Sequence, residues 1–351
     1  QRSIYISNII HNPARCWFPF SIPMASKSIG ICYGWDGTTE DTRPDRAVGY
    51  AMREKPIKIG KMRNYNTEVL KALADAKSEI EVIIGVPNED LDDFAKTPDA
   101  AADWFKENIE DYISKVKIQC VAVGNGVVES KDMENVVPAM KNILTVLKAN
   151  GGEEIKVSTA INLDLLSTDF RVPSQASFRD EEVTKYMKEI TAFLMETDNN
   201  APLLANVYPY HAIDETKGWD LPFALFTSPR IIHDDGLEYK NLFDLLLDAV
   251  YRALSKISIT SLEIVVSESG WQSAGDPTPN QYATPENART YYKNLIDHVV
   301  NSKGTPLKPE QSIQTHLYAI FDKNKTGPSK IDINYGIFKN KGSHKYSGVP
   351  N

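Results

Sequence analysis

Short apolar runs alternate with longer amphipathic stretches along most of this chain, and that alternation limits its fold more than any other feature. Runs at Ser28 to Gly34, Ile57 to Tyr65, Glu79 to Pro87, Lys117 to Asn125, Glu154 to Ile161, Pro202 to Tyr210, Leu262 to Trp271 and Gln314 to Asp322 predict strands. Short, nearly unbroken apolar runs suit strands buried on both faces, as in a parallel sheet covered by helices. Between them, Thr67 to Lys77, Ala100 to Ser114, Val136 to Ala149, Glu181 to Met195, Tyr239 to Ile257 and Pro285 to Ser302 carry helical patterns. Eight strand-helix units, with no linker or composition break from residue 28 to residue 346, predict a single-domain α/β fold, a (β/α)8 TIM barrel.

Composition supports one large domain. With 351 residues, 42% hydrophobic and 25% charged, the chain has ample apolar surface to bury. A net charge of -8 argues against a nucleic-acid partner, because phosphate binding relies on clustered Lys and Arg. A neutral polymer or a small ligand is the easier partner, and a monomer is expected. The three cysteines, Cys16, Cys32 and Cys120, lack metal-ligand spacing and cannot all pair. No metal or cofactor is expected. Residues 1–27 read as an extension outside the fold: His11, Asn12, Pro13, Arg15 and Pro19 interrupt the apolar residues before Met24, so no membrane span and no clean secretory core is present there. Met24-Ala25-Ser26-Lys27 resembles a start, which predicts a cytoplasmic protein; a secreted or vacuolar one is the alternative. Residues 347–351 are expected to be a tail.

In a barrel of this kind the chemistry gathers at the C-terminal ends of the strands. Those ends carry Tyr33, Arg63, Tyr65, Asn125, Gly126, Tyr208, Tyr210, Glu268, Trp271 and Phe321. Aromatic faces stack on the C–H faces of sugar rings while Asn, Arg and Tyr meet the hydroxyls, so the set suits a carbohydrate groove. Aromatic side chains at strand ends also serve simply to plug a barrel mouth. Glu268 is the sharper signal, because a carboxylate directly after the apolar run Leu262 to Val266 is costly to bury without a partner or a task.

Ile31-Cys32-Tyr33-Gly34, Gly85-Val86-Pro87-Asn88, Val121-Ala122-Val123-Gly124-Asn125, Lys156 to Ile161, Leu203 to Tyr210, Phe226-Thr227-Ser228-Pro229, Asn241-Leu242-Phe243-Asp244 and Val265 to Trp271 together resemble the plant endo-1,3-β-glucanases of glycoside hydrolase family 17. The resemblance runs in unbroken order from about Ile29 to Phe338. It implies a (β/α)8 barrel with an open cleft for 1,3-β-glucan and a retaining mechanism without metal or cofactor. It also implies that Glu268 is the nucleophile, Asn125 a neighbour that hydrogen-bonds at the cleaved sugar, and Tyr33 and Tyr208 cleft aromatics.

Departures from the family pattern concentrate where the chemistry should be. Gly126 stands where the pattern has Glu, so the general acid position is vacated, and glycoside cleavage normally needs two carboxyl groups. Lys323 replaces an acid in Phe321-Asp322-Lys323-Asn324, His211 replaces the aromatic after Tyr208-Pro209-Tyr210, Asn66 replaces an Asp, and the usual Trp near Asp234-Asp235-Gly236 is missing. Glu129 lies three residues after Gly126 and is the candidate for a relocated acid. Asn324-Lys325-Thr326 is a glycosylation sequon on the loop after the last strand.

Three functions fit these residues. One is a protein that binds β-glucan or oligosaccharide and hydrolyses it poorly or not at all. Another is a working glucanase with a relocated acid. The third is a barrel repurposed for acid-base chemistry on a small molecule, with Glu268 (as nucleophile or general acid/base), His211 and Lys323 as working groups and Tyr33, Asn125, Tyr208, Tyr210, Trp271 and Phe321 lining the site.

Overall fold

The computed structural model describes residues 29–34, 40–53, 59–64, 67–275, 281–301, 304–322, 333–339, 343–347 and 349. The extension before residue 29, Met24, Cys16, Tyr65, Asn66, Lys323 and the Asn324 sequon lie outside the described residues.

The strands are β1 (Ile29–Tyr33), β2 (Ile59–Asn64), β3 (Glu81–Val86), β4 (Lys117–Asn125), β5 (Lys156–Asn162), β6 (Leu203–Asn206), a hairpin of β7 (Ile232–Asp234) and β8 (Leu237–Tyr239), then β9 (Ile264–Ser269) and β10 (Thr315–Leu317). All but the hairpin close into a parallel barrel in the order β1-β10-β9-β6-β5-β4-β3-β2. The structure is the (β/α)8 barrel that the apolar runs predict. Each run is trimmed where turn chemistry intervenes; β6 stops at Asn206 because Pro209 opens a helical turn, Pro209–Ala212.

Two apolar layers follow from the strand period. Ile83, Cys120, Ala122, Ala160, Leu204 and Val265 form a cluster inside the barrel. Their neighbours Val82, Ile84, Val121, Val123, Leu203 and Val266 belong to the larger core between strands and helices. Successive strand side chains point to opposite faces, so both layers need apolar residues and the runs lack alternation.

The helices are α1 (Pro44–Arg53), α2 (Glu68–Asp75), α3 (Leu91–Lys96), α4 (Pro98–Asn108), α5 (Ser130–Ala149), α6 (Glu181–Leu194), the short turns α7 (Pro209–Ala212) and α8 (Leu221–Ala224), α9 (Leu242–Lys256) and α10 (Pro285–Asn301). Caps fix where two of them start: Asp180 accepts from the Val183 amide at 2.8 Å, and Asn241 from the Asp244 amide at 2.8 Å. Part of the expected tail packs on the domain, since Val349 is buried and the Ser347 carbonyl accepts from Arg289 Nε at 2.9 Å. No helix among the described residues is long and apolar enough to cross a membrane.

Candidate active site

Five strands deliver one polar side chain each to the C-terminal mouth of the barrel: Arg63 from β2, Asn125 from β4, Asn162 from β5, Asn206 from β6 and Glu268 from β9. Two of these strands break register to do so. The pairing of β9 with β6 steps from Ala205↔Val266 to Asn206↔Glu268, and its pairing with β10 steps from Thr315↔Val266 to Leu317↔Ser269. One extra residue on β9 therefore lets Ser267 and Glu268 both face the interior, where Ser267 Oγ donates to Asn206 Oδ1 at 2.8 Å. Ser269 returns to the helix side, on Tyr291 of α10. On β4 the pairing with β5 steps from Ala122↔Ser158 to Asn125↔Ala160, with Gly124 at φ +81° absorbing the bulge. Asn88 stabilises the displaced Asn125 by accepting from its amide at 2.7 Å and donating to its carbonyl at 3.0 Å.

The side chains form one network. Arg63 is almost fully buried, and its Nη1 lies 2.6 Å from Glu268 Oε1 in an ion pair. Nη1 also donates to Asn206 Oδ1 at 3.2 Å, and Nη2 to Asn125 Oδ1 at 2.9 Å. Asn206 Nδ2 spends both hydrogens, on Asn125 Oδ1 at 2.8 Å and on Asn162 Oδ1 at 2.9 Å. Each amide is thereby oriented: Asn125 turns its Nδ2 to Glu268 Oε1 at 3.4 Å, and Asn162 turns its Nδ2 toward Gly126. The other oxygen of Glu268 accepts from the Tyr208 hydroxyl at 2.8 Å. Burial, and then the negative charge of Glu268, hold that phenol well above its ordinary pKa, so it stays a donor. The carboxylate is thus gripped on both oxygens and fixed in place.

A cleft of about 580 Å³ opens over the network, with Asn125, Asn162, Asn206, Tyr208 and Glu268 on its polar side and Leu163, Leu166, Phe170 and Trp219 among its apolar lining. A second hollow of about 930 Å³ shares His211, Ala212, Lys217 and Trp219 with it, so the two adjoin as one trough. Lys217 Nζ sits 4.7 Å from the Trp219 ring centre.

Of the residues singled out from sequence, the structure brings Asn125, Tyr208 and Glu268 into direct contact. His211 lies exposed on the rim, its Nε2 3.0 Å from the Tyr335 hydroxyl and its ring against Tyr208. Tyr210 is mostly covered, edge-on to Trp271, and reaches only the second hollow. Three expected cleft aromatics are instead core residues. Tyr33 is buried and donates to the Thr42 carbonyl at 2.7 Å. Trp271 is fully buried with its Nε1 on the Tyr282 carbonyl at 3.0 Å, and Phe321 packs between Tyr50 and Phe338. These three close the gap between the barrel end and its surrounding loops and present no face to a ligand. Sequence reading passed over Asn162, Asn206 and Trp219, and saw Arg63 only as a strand end. The signal for Arg63 is the one used for Glu268, a charge inside a buried strand.

Gly126 sits at φ +61°, with its amide donating to the Ala160 carbonyl at 2.8 Å. A Cβ built there would lie 2.4 Å from Asn162 Nδ2 and 2.8 Å from its Cγ. The space beside Gly126 is therefore taken by an amide. Glu129 is exposed immediately before α5 and is not among the residues lining the cleft. Among the described residues no group of three or more His, Cys, Asp and Glu side chains is arranged to hold a metal ion.

Comparison with known proteins agrees with this architecture. The sequence profile of glycosyl hydrolases family 17 matches residues 29–348. A glucan endo-1,3-beta-glucosidase of Vitis vinifera is 41% identical over 335 residues, covering 93% of this chain and 92% of that protein. The basic vacuolar isoform of glucan endo-1,3-beta-glucosidase from Nicotiana plumbaginifolia is 38% identical over 331 residues, covering 92% and 86%. Among solved structures, a beta-1,3-glucanase and pollen allergen of Cryptomeria japonica superposes with a TM-score of 0.82 at 38% identity, covering 91% of this chain and 98% of that one. The chain belongs to glycosyl hydrolase family 17.

Proposed function

We propose that this protein binds 1,3-β-glucan or its oligosaccharides in the trough over Glu268 and hydrolyses them weakly or not at all. The observation that carries this reading is the pairing of Gly126 with Asn162: the position where the family pattern has Glu offers no side chain, and the space beside it is filled by an amide that holds its protons. In this reading Glu268 is the nucleophile, oriented by Arg63, Asn125 and Tyr208, and it attacks the anomeric carbon of a sugar laid along the cleft. A sugar alkoxide is a poor leaving group and needs a proton as it departs. A positioned general acid supplies roughly 10²- to 10⁴-fold in rate, and its loss is the expected deficit here. The relocated-acid alternative is disfavoured because Glu129 points into solvent at the start of α5. The relatives named as glucan endo-1,3-beta-glucosidases supply the ligand class, and the vacuolar relative favours a vacuolar or secreted setting over the cytoplasmic one expected from Met24.

The test is to titrate the purified protein with laminarihexaose by calorimetry and to incubate it with laminarin while counting reducing ends. Binding without release of reducing ends is expected. Brisk laminarin hydrolysis, abolished by Glu268→Gln, would show that another group supplies the proton.

A further inference from the structure

A cleft that keeps a gripped carboxylate but has an amide in place of a carboxyl beside Gly126 is not chemically inert; it selects for a different leaving group. We infer that this site transfers a glucosyl unit from donors whose aglycone departs as a stable anion, the glucosyl esters of carboxylic acids and glucosides of acidic phenols, with Asn162 Nδ2 as the hydrogen-bond donor to the departing oxygen. The inference rests on the proposed role of Glu268 as nucleophile in a β-glucan cleft.

Three observations on the molecule lead there. Asn162 Oδ1 is occupied by Asn206 Nδ2 at 2.9 Å, so the network forces the Asn162 amide hydrogens toward Gly126 and the cleft. Asn162 and Glu268 line the same cavity and are joined through Asn206 and Arg63, which fixes the donor relative to the nucleophile. An amide N–H stabilises an anion that forms beside it, and it does so without giving up a proton. Beyond Asn162 the cavity wall sets Leu163, Leu166, Phe170 and Trp219 beside Asp164 and Lys217, so it offers apolar and aromatic surface that suits a flat aglycone as well as a sugar.

The steps balance without an acid or a base. A Glu268 oxygen bonds to the anomeric carbon while the bond from that carbon to the aglycone oxygen breaks, and the carboxylate or phenolate leaves with the electron pair. The resulting glucosyl ester of Glu268 persists against water, because no general base stands at position 126 to deprotonate it. An acceptor that is already an anion needs no such base: it attacks the same carbon, the bond to Glu268 breaks, and the carboxylate is restored. The net reaction exchanges one acidic aglycone for another with retained configuration.

The experiment uses the whole protein and 2,4-dinitrophenyl β-laminaribioside as the probe. A burst of about one dinitrophenolate per protein is expected, together with a laminaribiosyl adduct mapped to the peptide carrying Glu268. Added azide should then raise turnover at least tenfold and yield the β-laminaribiosyl azide. In the unaltered protein, the burst rate should fall steeply across a series of phenyl laminaribiosides of rising phenol pKa. Asn162→Ala should slow the burst about tenfold, most for the poorer leaving groups, so that the dependence on phenol pKa steepens; Glu268→Gln should give neither burst nor adduct. Binding of laminaritriose without any adduct would overturn this inference and leave the binding function standing. Absence of laminaritriose binding would overturn the binding function itself. An adduct that water removes as fast as azide would reveal a base in the cleft and overturn the exchange chemistry.

Discussion

Replacing Gly126 with Glu tests whether a carboxyl can simply be introduced at this position. The structure answers that it cannot be done alone. At φ +61° a residue with a Cβ costs about 1–2 kcal/mol of backbone strain. That Cβ would lie 2.4 Å from Asn162 Nδ2, so Asn162 must rotate away and give up its bond from Asn206, worth about 1 kcal/mol. Gly126→Glu is therefore expected to lose about 2–3 kcal/mol in urea unfolding. Asn162→Ala removes the obstructing atoms, so the double variant should be more stable than the sum of the single changes by about 1–2 kcal/mol. Laminarin hydrolysis, counted as reducing ends, should rise by roughly 10²-fold or more in the double variant and by clearly less in Gly126→Glu. Strictly additive stabilities, or full activity in Gly126→Glu alone, would refute the reasoning that Asn162 occupies the acid's place.

Other expectations follow from the same coordinates. Tyr208→Phe removes the donor to Glu268 Oε2; a hydrogen bond to a charged group is worth about 1.5–3 kcal/mol, so the melting temperature should fall, and glucosylation by an activated laminaribioside should slow by roughly 10- to 100-fold as the carboxylate loses its fixed orientation. Arg63→Met leaves Glu268 without its counter-charge and should cost about 3–5 kcal/mol in denaturant unfolding, part of which Glu268→Gln in the same chain restores. Asp248 of α9 is buried, accepts from Thr305, Leu307 and Tyr239, and burial pushes its pKa up to about 7. The folded protein then binds a proton more tightly than the unfolded chain, whose Asp titrates near about 3.9. The stability it contributes is full below about pH 4 and is lost as pH rises to about 7, so Asp248→Asn should flatten that slope in thermal melts taken at several pH values. Cys32 and Cys120 are buried, and burial raises the Cys120 thiol to about 12; peptide mapping after iodoacetamide treatment should find both unmodified until the protein is unfolded.

The sequence makes the barrel legible because its strands must be apolar on both faces, and the runs ending at Asn125 and spanning Val265 to Ser269 are plain. Shorter signals were lost. Helix α1 has a weakly apolar face built on Ala47, Val48 and Ala51, and α5 begins at Ser130 with a polar first turn ahead of the apolar positions starting at Val136. The β7–β8 hairpin turns on Asp235-Gly236, a pair that favours tight turns, between strands too short to show a period. At the site, Glu268 stands out because a charge inside an apolar run demands a reason. Tyr33, Trp271 and Phe321 were misread because residue type does not reveal whether an aromatic ring plugs a gap or forms a surface. Asn162 was invisible as a neighbour of Gly126: the contact depends on how far β4 is displaced against β5, which no local pattern encodes.

The bulges on β4 and β9 have a consequence for how this chain can change over time. Asn125 and Glu268 are turned into the mouth by an inserted residue in each strand, outside the regular alternation of the apolar layers. Gly126, just beyond one such break, is likewise free of the apolar packing that closes the barrel. Reactive chemistry and architectural integrity are thus written in separate letters of the same strands. Substitutions at the mouth can change the chemistry offered there at a cost in stability, while the apolar layers that pair the strands beneath keep the barrel's topology.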